Sequence, residues 1–212
     1  DSSTSRGLGD VYKRQTYTNP AANYFRAIRK PQELAEATAQ VFLGRRLQCA
    51  QCHNHPFDRW TQGDYYDWAS AFAKIDYKLL KNIRRDGLDK HEFNGEQVVY
   101  MKSNSSVKNP KTGKAAPARF LSAGQPVPGG DDPLREMAKW MTAPDNPFFA
   151  RAQANRIWFH LMGRGLVNPI DDFRPTNPAT HPVLLDLLAT EFIASGYDLR
   201  HMIRQITSSA TY

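Results

Sequence analysis

Apolar residues recur at intervals of three and four along two early stretches of the chain and most of its second half, the spacing of helices with one buried face. The first stretch is "PQELAEATAQVFLGRRLQ", residues 31–48, where Pro31 suits a first helical turn and Leu34, Thr38, Val41, Phe42 and Arg45 share a face. The second starts near Thr61, which with Asp64 makes a variant of the capping box, and runs through Tyr65, Trp68, Ala69, Phe72 and Ile75. From Asp76 to about Gly130 the helical period lapses. "EQVVYMK" has the alternation of a short strand, "NPKTGK" is turn chemistry, and the proline and glycine of "PARFLSAGQPVPGGDD" mark a linker.

Helical spacing then returns with clear punctuation. "DDPLREMAKWMTA" has an acidic cap and a first-turn proline. "DNPFFARAQANRIWFHLMGRG" begins at Asn146-Pro147, ends at Gly163 and aligns Ala150, Ala154, Ile157 and Leu161. "THPVLLDLLATEFIASG" repeats the grammar with Thr180 as cap, Pro182 in the first turn and Gly196 as stop. "YDLRHMIRQITSS" is capped by Asp198 and is expected to bury Leu199, Met202, Ile203 and Ile206. No internal repeat of fixed period is found. The pattern predicts a mainly α protein: a helical region over residues 16–75, a small β-containing insert and linker over 76–130, and a second helical domain over 131–212. The opening "DSSTSRGLGDVYKRQ", residues 1–15, has no periodicity, resembles translated adaptor sequence, and reads as a non-native or disordered leader outside the fold.

Composition adds bounds. With 212 residues, 41% of them hydrophobic and 23% charged, the chain has room for one or two domains with a sizeable core. No apolar run approaches the roughly 18 residues of a membrane span. The net charge of +7 is concentrated: between Lys74 and Arg119 eleven Lys or Arg stand against five Asp or Glu. Such a basic insert suits an anionic polysaccharide, an acidic partner or simply solvent. Its aromatics, Tyr77, Phe93, Tyr100 and Phe120, are not interleaved with the basic residues as a base-stacking platform requires, so nucleic acid is disfavoured.

The candidate chemistry lies in "CAQCHNHPFD", residues 49–58. It holds the only two cysteines of the chain, Cys49 and Cys52, and two of its six histidines, His53 and His55. Two cysteines three apart can form thioethers to the two vinyl groups of one haem, and a histidine directly after them falls under the iron. On that reading Cys49 and Cys52 bind covalently and His53 is the proximal ligand. A second axial ligand would come from Met101, Met137, Met141, Met162, Met202, His91, His160, His181 or His201, or the position stays open. The alternative is zinc held by Cys49, Cys52, His53 and His55, although structural zinc sites usually draw ligand pairs from two separated segments. A thioredoxin-like pair is a third option, but such a motif follows a strand, whereas this one follows a helix. The remaining reading is two buried thiols and a turn organised by His55, Pro56 and Asp58, and tight packing by Trp60, Trp68 and Phe72 would favour it. Haem leads.

These residues carry a resemblance. "AEATAQVFLGRRLQCAQCHNHPFDRWTQGDYYDWASAFAKI" resembles the planctomycete cytochrome-c-like domain of large secreted or surface proteins of unknown function, and "NPKTGKAAPARFL" resembles the segment that follows it. The stretch from "DNPFFARAQANRIWFHLMGRG" to the end is similar to the partner planctomycete surface-type domain. The resemblance implies a helical cytochrome-c-like module, the basic insert, then an α-helical domain that the chain leaves incomplete. It also implies an extracytoplasmic setting, periplasm or cell surface, with a signal peptide upstream of this fragment. The motif matches at Cys49, Cys52 and His53, and His55, Pro56, Phe57 and Asp58 match too. No activity is established for the pair of domains.

A second polar group, Arg151, Asn155, Arg156, His160, Arg164, Asp171, Asp172 and Arg174, gathers around the helix that ends at Gly163. It could form an anion or carbohydrate site or a carboxylate–histidine metal site, but an Arg–Asp network that staples the helix to its following loop is preferred. No nucleophile stands beside a base, and Ser208 and Ser209 read as polar residues at a helix end, so no hydrolytic or transferase chemistry is indicated. The functional expectation is a haem c redox or electron-transfer module working with a redox partner or with other domains of the full-length protein. The alternative is a structural or interaction module with a zinc site or disulfide, accessory to polysaccharide processing.

Overall fold

The computed structural model describes residues 23–82, 95–102, 104–121, 124–128 and 133–212, so the leader and His91 lie outside the described residues. In chain order the elements are α1 (Asn23–Ala27), α2 (Pro31–Leu43), a 3₁₀ turn (Gln48–Gln51), α3 (Gln62–Ser70), β1 (Ile75–Asn82), β2 (Gly95–Met101), α4 (Pro133–Met141), α5 (Phe149–Met162), α6 (Pro182–Ala194) and α7 (Leu199–Thr207). The protein is mostly helical with a small antiparallel sheet. It divides into two compact units. The first holds the described residues up to Ala35 and from Tyr66 to Leu134, the second Glu36–Tyr65 and Arg135–Tyr212.

In the first unit, Trp68 is fully buried and donates from its indole nitrogen to the Ala35 carbonyl at 2.9 Å. Its ring meets Phe72 edge-on, with centroids 5.5 Å apart. Helix α3 stops at Ser70, not at Ile75 as the apolar spacing suggested, and tight turns follow, with Ala71, Phe72 and Ala73 donating to the carbonyls three residues back. Ile75 therefore opens β1, a strand the periodicity does not announce, and pairs with Met101 of the expected strand. On one face Ile75 and Val99 are buried. On the other, Tyr100 donates to Asp76 at 2.9 Å and Lys102 lies 2.8 Å from the same carboxylate oxygen. Tyr77 reaches back to the carbonyls of Phe25 and Ile28, at 2.6 and 3.1 Å.

The "NPKTGK" turn forms: the Asn109 side chain accepts from Lys111 N, and Gly113 N donates to the Asn109 carbonyl. The stretch read as a linker is partly packed, which corrects that expectation. Arg119 and Pro126 form a bridge, and Phe120, Leu121 and Val127 are buried, because their apolar area outweighs the proline and glycine around them.

The second unit packs α5, α6 and α7 around Ala154, Leu166, Val167, Leu185, Phe192, Met202 and Ile206. Local sequence explains the ends of these helices. Asn146 accepts from Phe148 N and Phe149 N at the start of α5, and Gly163, with φ +77°, closes it. Asp198 accepts from Arg200 N and His201 N at the start of α7. Thr180 does not cap α6. His181 holds that position, while the Thr180 hydroxyl donates to the Leu166 carbonyl at 3.1 Å. On α7 only Met202 and Ile206 of the expected face are buried, whereas Leu199 and Ile203 are 55% and 41% exposed.

Helix α2 also departs from expectation. Its buried stripe is Leu34, Ala35, Thr38, Ala39 and Leu43, and Val41 is exposed. It ends at Leu43 because Gly44 turns left-handed at φ +64°, and Arg45 N donates back to the Ala39 carbonyl at 2.9 Å. Arg45 therefore stands beyond the helix and not on its face. Among the described residues no helix is long and apolar enough to cross a membrane.

Candidate functional site

The left-handed turn at Gly44 sends the chain through Leu47, buried, into the 3₁₀ turn that carries Cys49. Cys52 N and His53 N both return to the Cys49 carbonyl, at 3.4 and 3.3 Å, so the two cysteines and the histidine occupy one compact turn. Both cysteines are unpaired and exposed, and His53 is exposed as well. This corrects the reading in which the thiols are buried. Trp68 and Phe72 belong to the core of the first unit. Trp60 is buried, but its indole nitrogen donates to Asp58 at 3.0 Å.

The histidines differ in what their nitrogens do. His53 Nδ1 lies 2.7 Å from the Asn54 carbonyl. A carbonyl oxygen only accepts, so Nδ1 carries the proton and the neutral ring presents the Nε2 lone pair, the arrangement metal-ligating histidines adopt. His55 is the converse. Its Nδ1 accepts from Phe57 N at 3.2 Å, which puts the proton of the neutral ring on Nε2. His55 N also donates to the Trp60 carbonyl at 2.8 Å, so this residue ties the loop to itself. Among the described residues no three His, Cys, Asp or Glu side chains are grouped so that they could hold a metal ion. Cys49, Cys52, His53 and His55 share one loop without converging.

The loop is held by three polar side chains. Asp58 accepts from Arg59 N and Trp60 Nε1, at 2.8 and 3.0 Å, and lies 3.7 Å from an Arg45 guanidinium nitrogen. Asn54 accepts from Gln62 N at 3.1 Å. Gln62 donates to the carbonyls of Gln51 and Cys52, at 3.0 and 3.1 Å. Thr61 and Asp64 exchange reciprocal bonds, Thr61 N to the carboxylate and Asp64 N to the hydroxyl, which fixes the start of α3 after the loop. Phe57 is 59% exposed, and the Arg174 guanidinium lies over its ring, 5.6 Å from the centroid.

The second polar group is dispersed. Asn155 is fully buried and spans to the following loop, accepting from Val167 N and donating to Val167 O, each at 2.9 Å. Arg151 pairs with Asp186 at 3.2 Å, Arg156 donates to the Val41 carbonyl at 3.2 Å, and His160 and Arg164 are exposed. Asp171 accepts from Gln40 and Arg46, while Asp172 faces Arg46 at 3.9 Å and Arg174 at 3.4 Å. The staple between α5 and its loop is thus an asparagine, and the partners of the carboxylates are Gln40 of α2, Arg46 of the turn after it and Arg174 of their own loop. Of the residues considered as a second axial ligand, Met137 and Met202 are buried in packed cores.

Burial works to raise the Asp171 carboxyl, but hydrogen bonds from Gln40 and Arg46 and the Arg46 charge outweigh it and hold the group below its ordinary 3.8. A carboxyl depressed by folding contributes stability that is complete above its unfolded value and lost as pH falls through the folded one. Thermal melts should therefore weaken as pH drops below about 4. Asp171→Asn should melt lower than wild type at pH about 7 and lose part of that acid slope. An unchanged slope would show that the Gln40–Asp171–Arg46 link does not form in solution.

Residues 135–212 match the family model PSD1, described as a protein of unknown function (DUF1553), and residues 6–77 match PSCyt2, described as a protein of unknown function (DUF1549). Both are planctomycete-type domains. No curated protein and no solved structure matches the chain.

Proposed function

We propose that the turn carrying Cys49, Cys52 and His53 is a covalent haem c attachment site, and that the chain is a redox or electron-transfer module of an extracytoplasmic bacterial protein. One observation supports this above others: two exposed, unpaired thiols share a turn with a histidine whose Nδ1 is engaged by the Asn54 carbonyl. That donor set fits haem c. Each thiol would add across a vinyl group, forming an S–C bond while its hydrogen goes to the neighbouring vinyl carbon, with no net oxidant required. His53 would offer Nε2 to the iron, and Asn54 would keep the imidazole oriented. When bound, the haem supplies one-electron transfer. An open surface site suits exchange with a partner or with other domains of a longer protein.

The test is expression alongside a cytochrome c maturation system. A Soret band that survives denaturation is expected, and Cys49→Ser with Cys52→Ser should abolish it. A colourless protein with its cysteines free or joined as a disulfide would overturn the proposal. A disulfide would favour the second reading, an interaction module of a surface protein, for which the supporting observation is that one exposed turn carries both cysteines.

A further inference from the structure

Within the second unit, three arginines distant in sequence line one cleft of about 260 Å³: Arg45 after α2, Arg151 on α5 and Arg174 on the loop before α6. Its other walls are aliphatic, proline and aromatic side chains together with Asn177, and no carboxylate lines it among the described residues. The Nε atoms of all three arginines are shielded from solvent and make no hydrogen bond. For Arg151 and Arg174 those atoms face Asp186 and Asp172 at 3.2 and 3.4 Å, ion-pair distances without hydrogen-bond alignment. Arg45 has less compensation. Its guanidinium lies over the Phe148 ring, 4.7 Å from the centroid, one nitrogen donates to the Phe173 carbonyl, and its carboxylate partner Asp58 is 3.7 Å away.

Buried donors in a folded protein nearly all find an acceptor, and a guanidinium presents five donors in a planar fork. Three such forks around a concave space with apolar walls form a receptor for an oxyanion. We propose that this cleft binds the carboxylate or sulfate group of a small anionic ligand, with Arg45, Arg151 and Arg174 as its charged contacts and Phe148 and Phe173 packing against the ligand body. Burial already pushes the Arg45 guanidinium down from its ordinary value; Asp58 opposes that, and the like charges of Arg59 and Arg151 add to it. A bound anion would relieve this repulsion. The inference is independent of what the cysteines carry.

Calorimetric titration of the full chain with sodium sulfate, with D-glucuronate and with uncharged glucose, at matched ionic strength, tests it. Direct binding is the readout, because sulfate stabilises folded proteins by exclusion from their surfaces without occupying a site. Saturable binding of at least one anion and none of glucose is expected. Arg151→Gln and Arg174→Gln should each weaken it by about 10- to 100-fold, the worth of a charged hydrogen bond, while circular dichroism stays native. Sulfate alone binding would assign the cleft to a tetrahedral oxyanion, and glucuronate alone to a planar carboxylate; either supports the proposal. Absence of saturable binding by both anions, or binding that the two variants leave unchanged, would overturn it.

Discussion

Asn155→Ala should destabilise the second unit by about 3–5 kcal/mol, a large share of the 5–15 kcal/mol that ordinarily holds a domain together. Asn155 is fully buried, and its amide serves both backbone groups of Val167: it accepts from the N–H and donates to the carbonyl, each at 2.9 Å, with a longer bond to the Ile170 carbonyl at 3.4 Å. Alanine removes the amide and leaves those groups inside the protein without partners. Each orphaned group costs about 1–3 kcal/mol, and the space left by the side chain adds to that. Gly165 shows how close the approach is. A Cβ there would lie 2.3 Å from the Val167 carbonyl oxygen and 3.1 Å from Asn155 Nδ2, so the loop folds against α5 only without a side chain at that position. Denaturant titration followed by circular dichroism measures the loss. A change below about 1 kcal/mol, the worth of one exposed hydrogen bond, would mean that water replaces the amide and that the staple is not structural.

What was legible in the sequence follows the range over which each cause acts. Helices α5 and α6 stop, and α7 starts, where Gly163, Gly196 and Asp198 place their signals, because caps and stops act within a turn. The Thr61–Asp64 box is equally local and forms. Strand β1 was hidden because pairing is a relation between segments. Ile75 continues the helical spacing of α3, and only its partner Met101 makes it a strand residue. The same holds for chemistry. The pattern Cys49, Cys52, His53 is contiguous and readable, whereas the state of each imidazole depends on a single neighbouring backbone group, Asn54 O or Phe57 N. Gln40 and Arg46 meet Asp171 across 131 and 125 residues, and no local pattern signals such partners. The apolar spacing puts Arg45 on a helix face only if it is carried through Gly44. A glycine directly after an apolar run was the available sign that the helix stops there.

That glycine carries the other large effect expected. Gly44→Ala should cost about 2–4 kcal/mol, from a left-handed backbone penalty of about 1–2 kcal/mol and overpacking of similar size. The backbone at Gly44 has φ +64°, and an added Cβ would lie 2.6 Å from Phe173 Cδ2 and 3.3 Å from the Ala152 Cβ. Gly163→Ala is the control that separates the two causes. Its φ is +77° and nothing lies within 4 Å of the added carbon, so it should lose only the backbone part. The consequences for function separate in the same way. Phe173 N donates to the Gly44 carbonyl at 3.0 Å, Arg45 is the next residue, and both Arg45 and Phe173 line the arginine cleft. Moving the Phe173 ring displaces that wall and the carbonyl that holds Arg45. Gly44→Ala should therefore weaken sulfate or glucuronate binding as well as stability, and Gly163→Ala should leave binding intact. Equal loss of stability in the two variants would mean that Phe173 yields freely, and Gly44→Ala should then leave anion binding intact as well.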